Sequence, residues 1–226
     1  MIVLDWLLAV LYPPKCILCG RILEGQETDL CSGCRKEASM YPYGRLHPAP
    51  KGNLNLRFLD SFTSVWYYKG NVRKSLHRFK FCRQSHLASG YGRMLAMALT
   101  ENFPEGFDCL TWVPVSTLRR MKRGYDQSEL LARAVGRELQ IPPLHLLKKV
   151  RNTRPQFRQA TPEQRRANVA GAFAPFDVRN LTGMRVVLVD DIFTTGATAN
   201  ECGRILREMG AREVHIATVA AARRKG

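Results

Sequence analysis

Between residues 186 and 220 the hydrophobic positions change their period twice. Val186, Val187, Leu188 and Val189 form an unbroken apolar run, β-branched except for Leu188, as in a strand covered on both faces. Apolar residues then recur at helical spacing over 199–209 until Gly210 stops them, and 213–220 is apolar again. Strand, helix and strand in that order predict a right-handed crossover between parallel strands. The same alternation upstream predicts a strand over 63–68, a basic helix around 73–80, a helix over about 87–99 and a buried strand from Leu110 ending at Pro114. A helix over 127–139 follows, with Leu130, Leu131, Val135 and Leu139 on one face. This is the pattern of an α/β fold, a parallel sheet flanked by helices. The apolar segment 1–12 is interrupted by Asp5 and is too short to cross a bilayer. Without a basic start it predicts an amphipathic helix that packs Trp6, Leu7, Val10 and Leu11 on a neighbour, in a soluble, cytoplasmic chain with no membrane insertion.

Chemistry is concentrated where the run at Val189 ends. The crossover places the following loop at the carboxyl end of the sheet, the edge at which open α/β folds bind ligands. Asp190 and Asp191 come first, then Thr194, Thr195, Gly196, Ala197 and Thr198 open the next helix. Glycine lets backbone N–H groups approach a ligand closely, and the first four donors of a helix have no internal partner. Three hydroxyls and the helix dipole add to that preference for an anion, and phosphate is the natural guest. Two carboxylates would repel a phosphate directly beside them, so they are expected to face neutral hydroxyls or a divalent metal. Other phosphate loops fit worse: no Gly-x-x-x-x-Gly-Lys-Ser/Thr occurs, and Gly90-Tyr91-Gly92 lacks the third glycine of a dinucleotide fingerprint.

Composition adds a second unit and a charge. The 226 residues exceed the size of one average domain, so a small unit is expected at 1–45, a Pro/Gly-rich linker at 46–58 and the larger domain at 59–226. The small unit holds Cys16-x-x-Cys19 and Cys31-x-x-Cys34, two knuckles that complete a tetrahedral four-thiolate site. Zinc is the expected ion, with a redox dithiol and an iron–sulfur centre as weaker readings. The odd total of seven cysteines is a poor disulfide framework, and Cys82, Cys109 and Cys202 read as unpaired thiols. The net charge of +16, from 35 basic and 19 acidic side chains, would attract a polyanion. Part of it lies between Val115, Ser116 and Gln127, where Arg119, Arg120, Lys122 and Arg123 form a basic loop at the sheet edge suited to a diphosphate. A second basic stretch over 148–158, continued by Arg165 and Arg166, is expected to be a mobile flap, either a substrate lid or a charged insertion.

The run 186–198 resembles the phosphoribosyl pyrophosphate (PRPP) motif of the type I phosphoribosyltransferases. With the four knuckle cysteines, Phe79-Lys80-Phe81, Val113-Pro114-Val115, Arg119, Arg123-Gly124-Tyr125-Asp126-Gln127, Thr153 with Gln156, Arg165 with Asn168 and Gly171-Ala172-Phe173, nearly the whole chain is similar to the ComF/GntX family. That resemblance implies a type I phosphoribosyltransferase core behind a zinc domain. It implies PRPP or a related ribose phosphate bound with Mg²⁺ at Asp190, Asp191 and the segment Thr194, Thr195, Gly196, Ala197 and Thr198, with Val115, Ser116 and Arg119 on the pyrophosphate side. Asp190, Asp191, Lys80 and Arg123 are the catalytic candidates, and the acceptor is not implied. The family also implies a part in handling incoming single-stranded DNA during bacterial competence or DNA utilisation, beside competence-machinery proteins. The alternative is a non-catalytic single-stranded-DNA-binding accessory protein that keeps the PRPP site, with Trp66, Tyr67, Phe79 and Phe81 available for stacking. Two positions depart from related patterns: the family usually has asparagine at Asp126, and 6-oxopurine phosphoribosyltransferases have a carboxylate at Thr194.

Overall fold

The apolar runs lie side by side in a five-stranded sheet of order β1-β2-β7-β6-β3. In this computed structural model the described residues are 13–41, 47–48, 56–153 and 162–222. The strands are β1 (His47–Pro48), β2 (Ser61–Tyr67), β3 (Cys109–Trp112), β6 (Arg185–Phe193) and β7 (Glu213–Ala221), and all pair in parallel except β1 on β2. Strands β4 (Leu147–Lys149) and β5 (Phe173–Pro175) form a separate antiparallel pair. Seven helices accompany them among the described residues: α1 (Ser32–Glu37), α2 (Gly70–Phe81), α3 (Leu87–Asn102), α4 (Thr117–Arg123), α5 (Gln127–Leu139), α6 (Pro162–Val169) and α7 (Ala197–Glu208). The amphipathic helix expected over 1–12 lies outside the described residues, as does the stretch 154–161.

Side-chain alternation on β6 divides the core in two. Val187 and Val189 join Leu76, Phe79, Tyr91, Leu95, Leu131 and Val135, from α2, α3 and α5. Val186 and Leu188 join Cys202, Ile205 and Leu206 of α7, with Leu147 and Phe173 of the small sheet. Both faces are therefore covered, which is why the run is continuously apolar. The Gly90-Tyr91-Gly92 segment is a packing device in α3. A Cβ on Gly92 would meet Ala134 of α5, and one on Gly90 would lie 2.7 Å from Ile17.

Three expectations change. Asp190 and Asp191 are not in a loop after Val189, because β6 continues to Phe193 with Asp190 opposite Thr218 and Ile192 opposite Ala220. The basic loop after Ser116 is the helix α4, closed by Gly124 at φ +86°. It is made of good helix formers but buries no residue, so it carries no apolar period to read. The expected flap is partly regular structure: 147–149 is β4, 162–169 is α6, and Arg151 donates to the carbonyl oxygens of Asn168 and Ala170.

The cysteine unit packs on α2 and α3. Ile17 and Leu18 between the first two cysteines enter the same core cluster as Leu76, Phe79 and Tyr91. Ser75 donates to the Ile17 carbonyl and Arg78 Nη2 to that of Leu18 at 2.8 Å. Arg93 of α3 pairs with Asp29. Within the expected linker, β1 extends the edge of β2 and Leu56 is buried, as is Leu59 at the start of the larger domain.

Candidate functional site

Asp190 and Asp191 sit at the carboxyl end of β6 and, being adjacent on a strand, belong to opposite faces. Asp191 is 7% exposed and pairs with Lys80 Nζ at 2.8 Å, near the end of α2. Asp190 Oδ1 accepts from Ser128 Oγ at 2.9 Å and from the Asp191 N–H at 2.8 Å. Burial, reinforced by the neighbouring Asp191 and opposed by Lys80, pushes the Asp190 carboxyl up to about 7. Oδ1 has two donors already, so Oδ2 is the Asp190 oxygen open to a further partner.

Beyond Phe193 the chain turns through Thr194 and Thr195 into α7. Gly196 is its N-cap in the left-handed region at φ +72°, and no side chain caps the helix. The cap residue itself thus offers no side-chain oxygen to the first turn of α7. A Cβ at Gly196 would also lie 2.8 Å from Phe193 Cζ and 3.0 Å from Leu56, so the turn depends on glycine twice over.

The basic side is organised by the first turn of α5. Asp126, buried, accepts from the N–H groups of Ser128 at 3.0 Å and Glu129 at 3.2 Å, and through Oδ2 from the Val115 N–H at 2.8 Å. Burial raises its carboxyl above the ordinary range. Gln127 Oε1 accepts from Arg123 Nη1 at 2.6 Å, and Ser128 reaches Asp190 as above. The Arg123 guanidinium lies 5.1 Å from the Phe81 ring centroid, and Arg119 donates to the Thr153 carbonyl at 2.7 Å. Lys80, Asp191, Asp190, Ser128, Gln127 and Arg123 are therefore linked from one to the next. Val115 is bonded to Asp126, Ser116 is the N-cap of α4, and Arg119 of that helix reaches Thr153, beyond the end of β4. Sequence reasoning named Gln127 only within the family motif and missed Ser128. The signal for both was their place in the first turn of a helix that follows a basic segment.

The sulfur atoms of Cys16, Cys19, Cys31 and Cys34 all lie within 4.8 Å of one another. A tetrahedron with Zn–S bonds of about 2.3 Å has edges of about 3.8 Å, and the Cys19–Cys31 separation is 3.7 Å. Cys31 Sγ accepts from the Cys34 N–H, the largest of the influences that lower its thiol to about 6. Asn71 Nδ2, at the start of α2, contacts Cys34 Sγ at 3.6 Å. The donor set and its spacing fit a structural zinc ion.

Comparison with known proteins gives the same two parts. The double zinc ribbon domain family matches residues 7–44, and the phosphoribosyl transferase domain family matches 126–226. Competence protein F of Haemophilus influenzae is 30% identical over 220 residues, covering 89% of this chain and 94% of that protein. The chain belongs to the competence protein ComF family. A second relative, the DNA utilization protein YhgH of Salmonella typhimurium, is 29% identical over 208 residues, 89% of this chain and 87% of its own. Among solved structures, glutamine PRPP amidotransferase from B. subtilis, complexed with ADP and GMP, is 28% identical over 59% of this chain and 26% of that one, with a TM-score of 0.39. In this ComF-family chain the phosphoribosyl transferase match spans α5, the acid pair and α7. The zinc-ribbon match spans all four cysteines. No described helix is long and apolar enough to cross a membrane.

Proposed function

We propose that this protein binds PRPP or a related ribose phosphate at the carboxyl end of β6 and has a phosphoribosyltransferase-like activity whose acceptor is undetermined. One observation carries the reading: two carboxylates lie near the carboxyl end of a buried strand, and a few residues later a helix opens on a left-handed glycine that offers no capping side chain. The Thr194 to Thr198 turn would take the 5′-phosphate, and the free Asp190 oxygen a ribose hydroxyl. Asp191 keeps Lys80 beside the anomeric end, and Arg123 and Arg119, with Val115 and Ser116, form the wall toward the pyrophosphate. Mg²⁺, an oxygen-seeking cation, would be held by the ligand's own oxygens with Asp190 beside it and would neutralise the diphosphate when bound. In the cell the work would belong to competence or DNA utilisation, as the names of the relatives suggest, with competence-machinery proteins nearby.

Calorimetric titration with PRPP, with and without Mg²⁺ and against a panel of nucleotides, tests the ligand. We expect saturable PRPP binding that is lost when Asp190→Asn and Asp191→Asn are combined in a chain that still folds. No heat with PRPP under either condition would refute the reading.

A second reading, a non-catalytic single-stranded-DNA-binding protein, keeps one feature in its favour. Trp66 and Phe79 are fully buried and unavailable to bases, but Phe81 is 55% exposed, with Arg123 over its ring and His77 4.8 Å away. Stacking on Phe81 predicts single-strand affinity that falls in Phe81→Ala and declines steeply with salt.

A further inference from the structure

Helices α3 and α5 approach so closely at Gly92 and Ala134 that a methyl group at 92 has no room, and toward the start of α3 a groove of about 760 Å³ opens between them. Its apolar lining is Ala88, Leu130, Gly136, Pro142 and Pro143, and the exposed His86, Arg133 and Arg137 stand around it. Leu130, Arg133 and Arg137 follow the spacing of one helical stripe, so α5 presents its apolar and its cationic residues to the groove together.

The groove is preformed. On one side the Ile141 N–H donates to the Gly136 carbonyl at 2.9 Å, and the Leu144 N–H to that of Leu110 in β3 at 2.8 Å. A Cβ on Gly136 would lie 2.9 Å from Pro143 Cδ, so glycine is what lets this wall close on α5. On the other side the Ala88 N–H donates to the Ser85 carbonyl at 3.0 Å, and Arg78 Nε to Gln84 Oε1 at 3.2 Å. A segment docking here meets a surface that is already ordered, which removes one cost of association.

The charge around the groove is unbalanced. None of its lining residues is acidic. Glu129 is engaged by Arg133 and Arg120, and Asp29 by Arg93, whereas Arg137 meets no carboxylate at ion-pair distance among the described residues. An apolar floor beside a free guanidinium suits a chain that offers an apolar side chain next to a carboxylate. Single-stranded nucleic acid takes aromatic platforms instead, and the lining holds no Phe, Tyr or Trp.

We infer that the groove between α3 and α5 docks a segment of a partner protein in which an apolar side chain is flanked by Asp or Glu. The apolar side chain fills the space over Ala88 and Leu130, and the carboxylates reach Arg137 and Arg133. Neither Asp190 nor Asp191 lines the groove, so docking here is separable from ribose-phosphate binding.

A displayed library of random short peptides is selected on the full-length wild-type protein. Each recovered peptide, labelled with a fluorophore, is then titrated by anisotropy against wild type, Arg137→Glu, Arg137→Lys and Lys74→Glu, the last at an exposed site outside the groove. The recovered sequences should share an apolar residue beside Asp or Glu. Their affinity should fall by about fivefold or more in Arg137→Glu, by less in Arg137→Lys and by less than about twofold in Lys74→Glu. Failure to recover binders, or binders without that pattern, overturns the proposal. Equal losses in Arg137→Glu and Lys74→Glu, the mark of unspecific attraction to a basic chain, overturn it too. Amide exchange on wild type alone needs no variant: a selected peptide should slow exchange within 85–89 and 130–140, and slowing confined to other segments refutes the assignment. Displacement of the peptide by a single-stranded oligonucleotide would give the groove to nucleic acid. Self-association of the wild type that Arg137→Glu abolishes, read by sedimentation, would give it to a second copy of the chain, and either result overturns the proposal.

Discussion

Two glycines in left-handed conformation separate backbone strain from close packing. Gly124 at φ +86° ends α4 with nothing within 4 Å of a built Cβ, and Gly196 at φ +72° begins α7 with three carbon atoms within 3.0 Å. Alanine at either position meets left-handed strain of roughly 1–2 kcal/mol. It also removes freedom from the unfolded chain, which returns about 0.4–1 kcal/mol. Gly124→Ala should therefore cost about 0.5–1 kcal/mol. At Gly196 the new methyl must displace Phe193 or Leu56. Phe193 is stacked on Phe62 with centroids 4.9 Å apart and an interplanar angle of 7°, so the ring has little room to turn. Overpacking of this kind adds roughly 1–3 kcal/mol, so Gly196→Ala should cost about 2–4 kcal/mol in total. Urea denaturation of both variants, read as shifts in midpoint at unchanged m, measures the difference. Equal costs for the two substitutions would show that the turn can open without disturbing its neighbours. The tight packing argued for the entrance to α7 would then be wrong.

Metal analysis of purified protein should find about one zinc per chain, absent in Cys16→Ser. Because Asn71, Ser75 and Arg78 of α2 all bond to the cysteine unit, amide exchange in 70–81 should quicken on zinc removal while 127–139 holds; unchanged exchange in α2 would count against that coupling. The Asp190 carboxyl is raised to about 7 in the fold from an ordinary value near 3.8, so between those values the folded state holds a proton that the unfolded chain has lost. That contribution to stability is complete below the lower value and is lost as pH rises through about 7. The difference in stability between wild type and Asp190→Asn should therefore move against wild type across this window, and a flat difference would contradict the buried environment assigned to Asp190.

What could be read from the chain follows from where burial imposes a period. The runs that became β2, β6 and β7 and the α5 pattern of Leu131 and Val135 were legible because each faces a core. The double knuckle was legible because metal ligation fixes its spacing, and the acid pair because it interrupts an apolar strand. Helix α4 was not legible: its Leu118 and Met121 are 64% and 75% exposed, so nothing in its pattern answers to a partner. The end of β6 was misplaced because charged residues read as a strand stop, although the ladder to Thr218 and Ala220 continues past them. Lys149 was read as part of a charged run, since its place opposite Phe173 is decided by strand pairing at a distance in sequence.

The departure at Asp126 shows how these parts hold one another. The family usually carries asparagine there, whose side chain offers one oxygen and one N–H₂ group. In this chain all three partners of Asp126 are backbone donors: Val115 on one oxygen, Ser128 and Glu129 on the other. A carboxylate, which only accepts, suits that set on both sides, whereas an amide in the same pose would turn its N–H₂ toward the Val115 N–H and leave a buried donor without an acceptor. Asp126 thereby ties the chain leaving β3 to the start of α5. Its two successors extend the tie, Gln127 to the guanidinium of Arg123 and Ser128 to the carboxylate of Asp190. The basic segment and the acid pair come from distant parts of the chain, yet they meet through three consecutive side chains at one helix N-terminus. The carboxylate at 126 is therefore better understood as the hinge pin of the site than as a lost asparagine, and both of its oxygens are already engaged by backbone N–H groups before any ligand arrives.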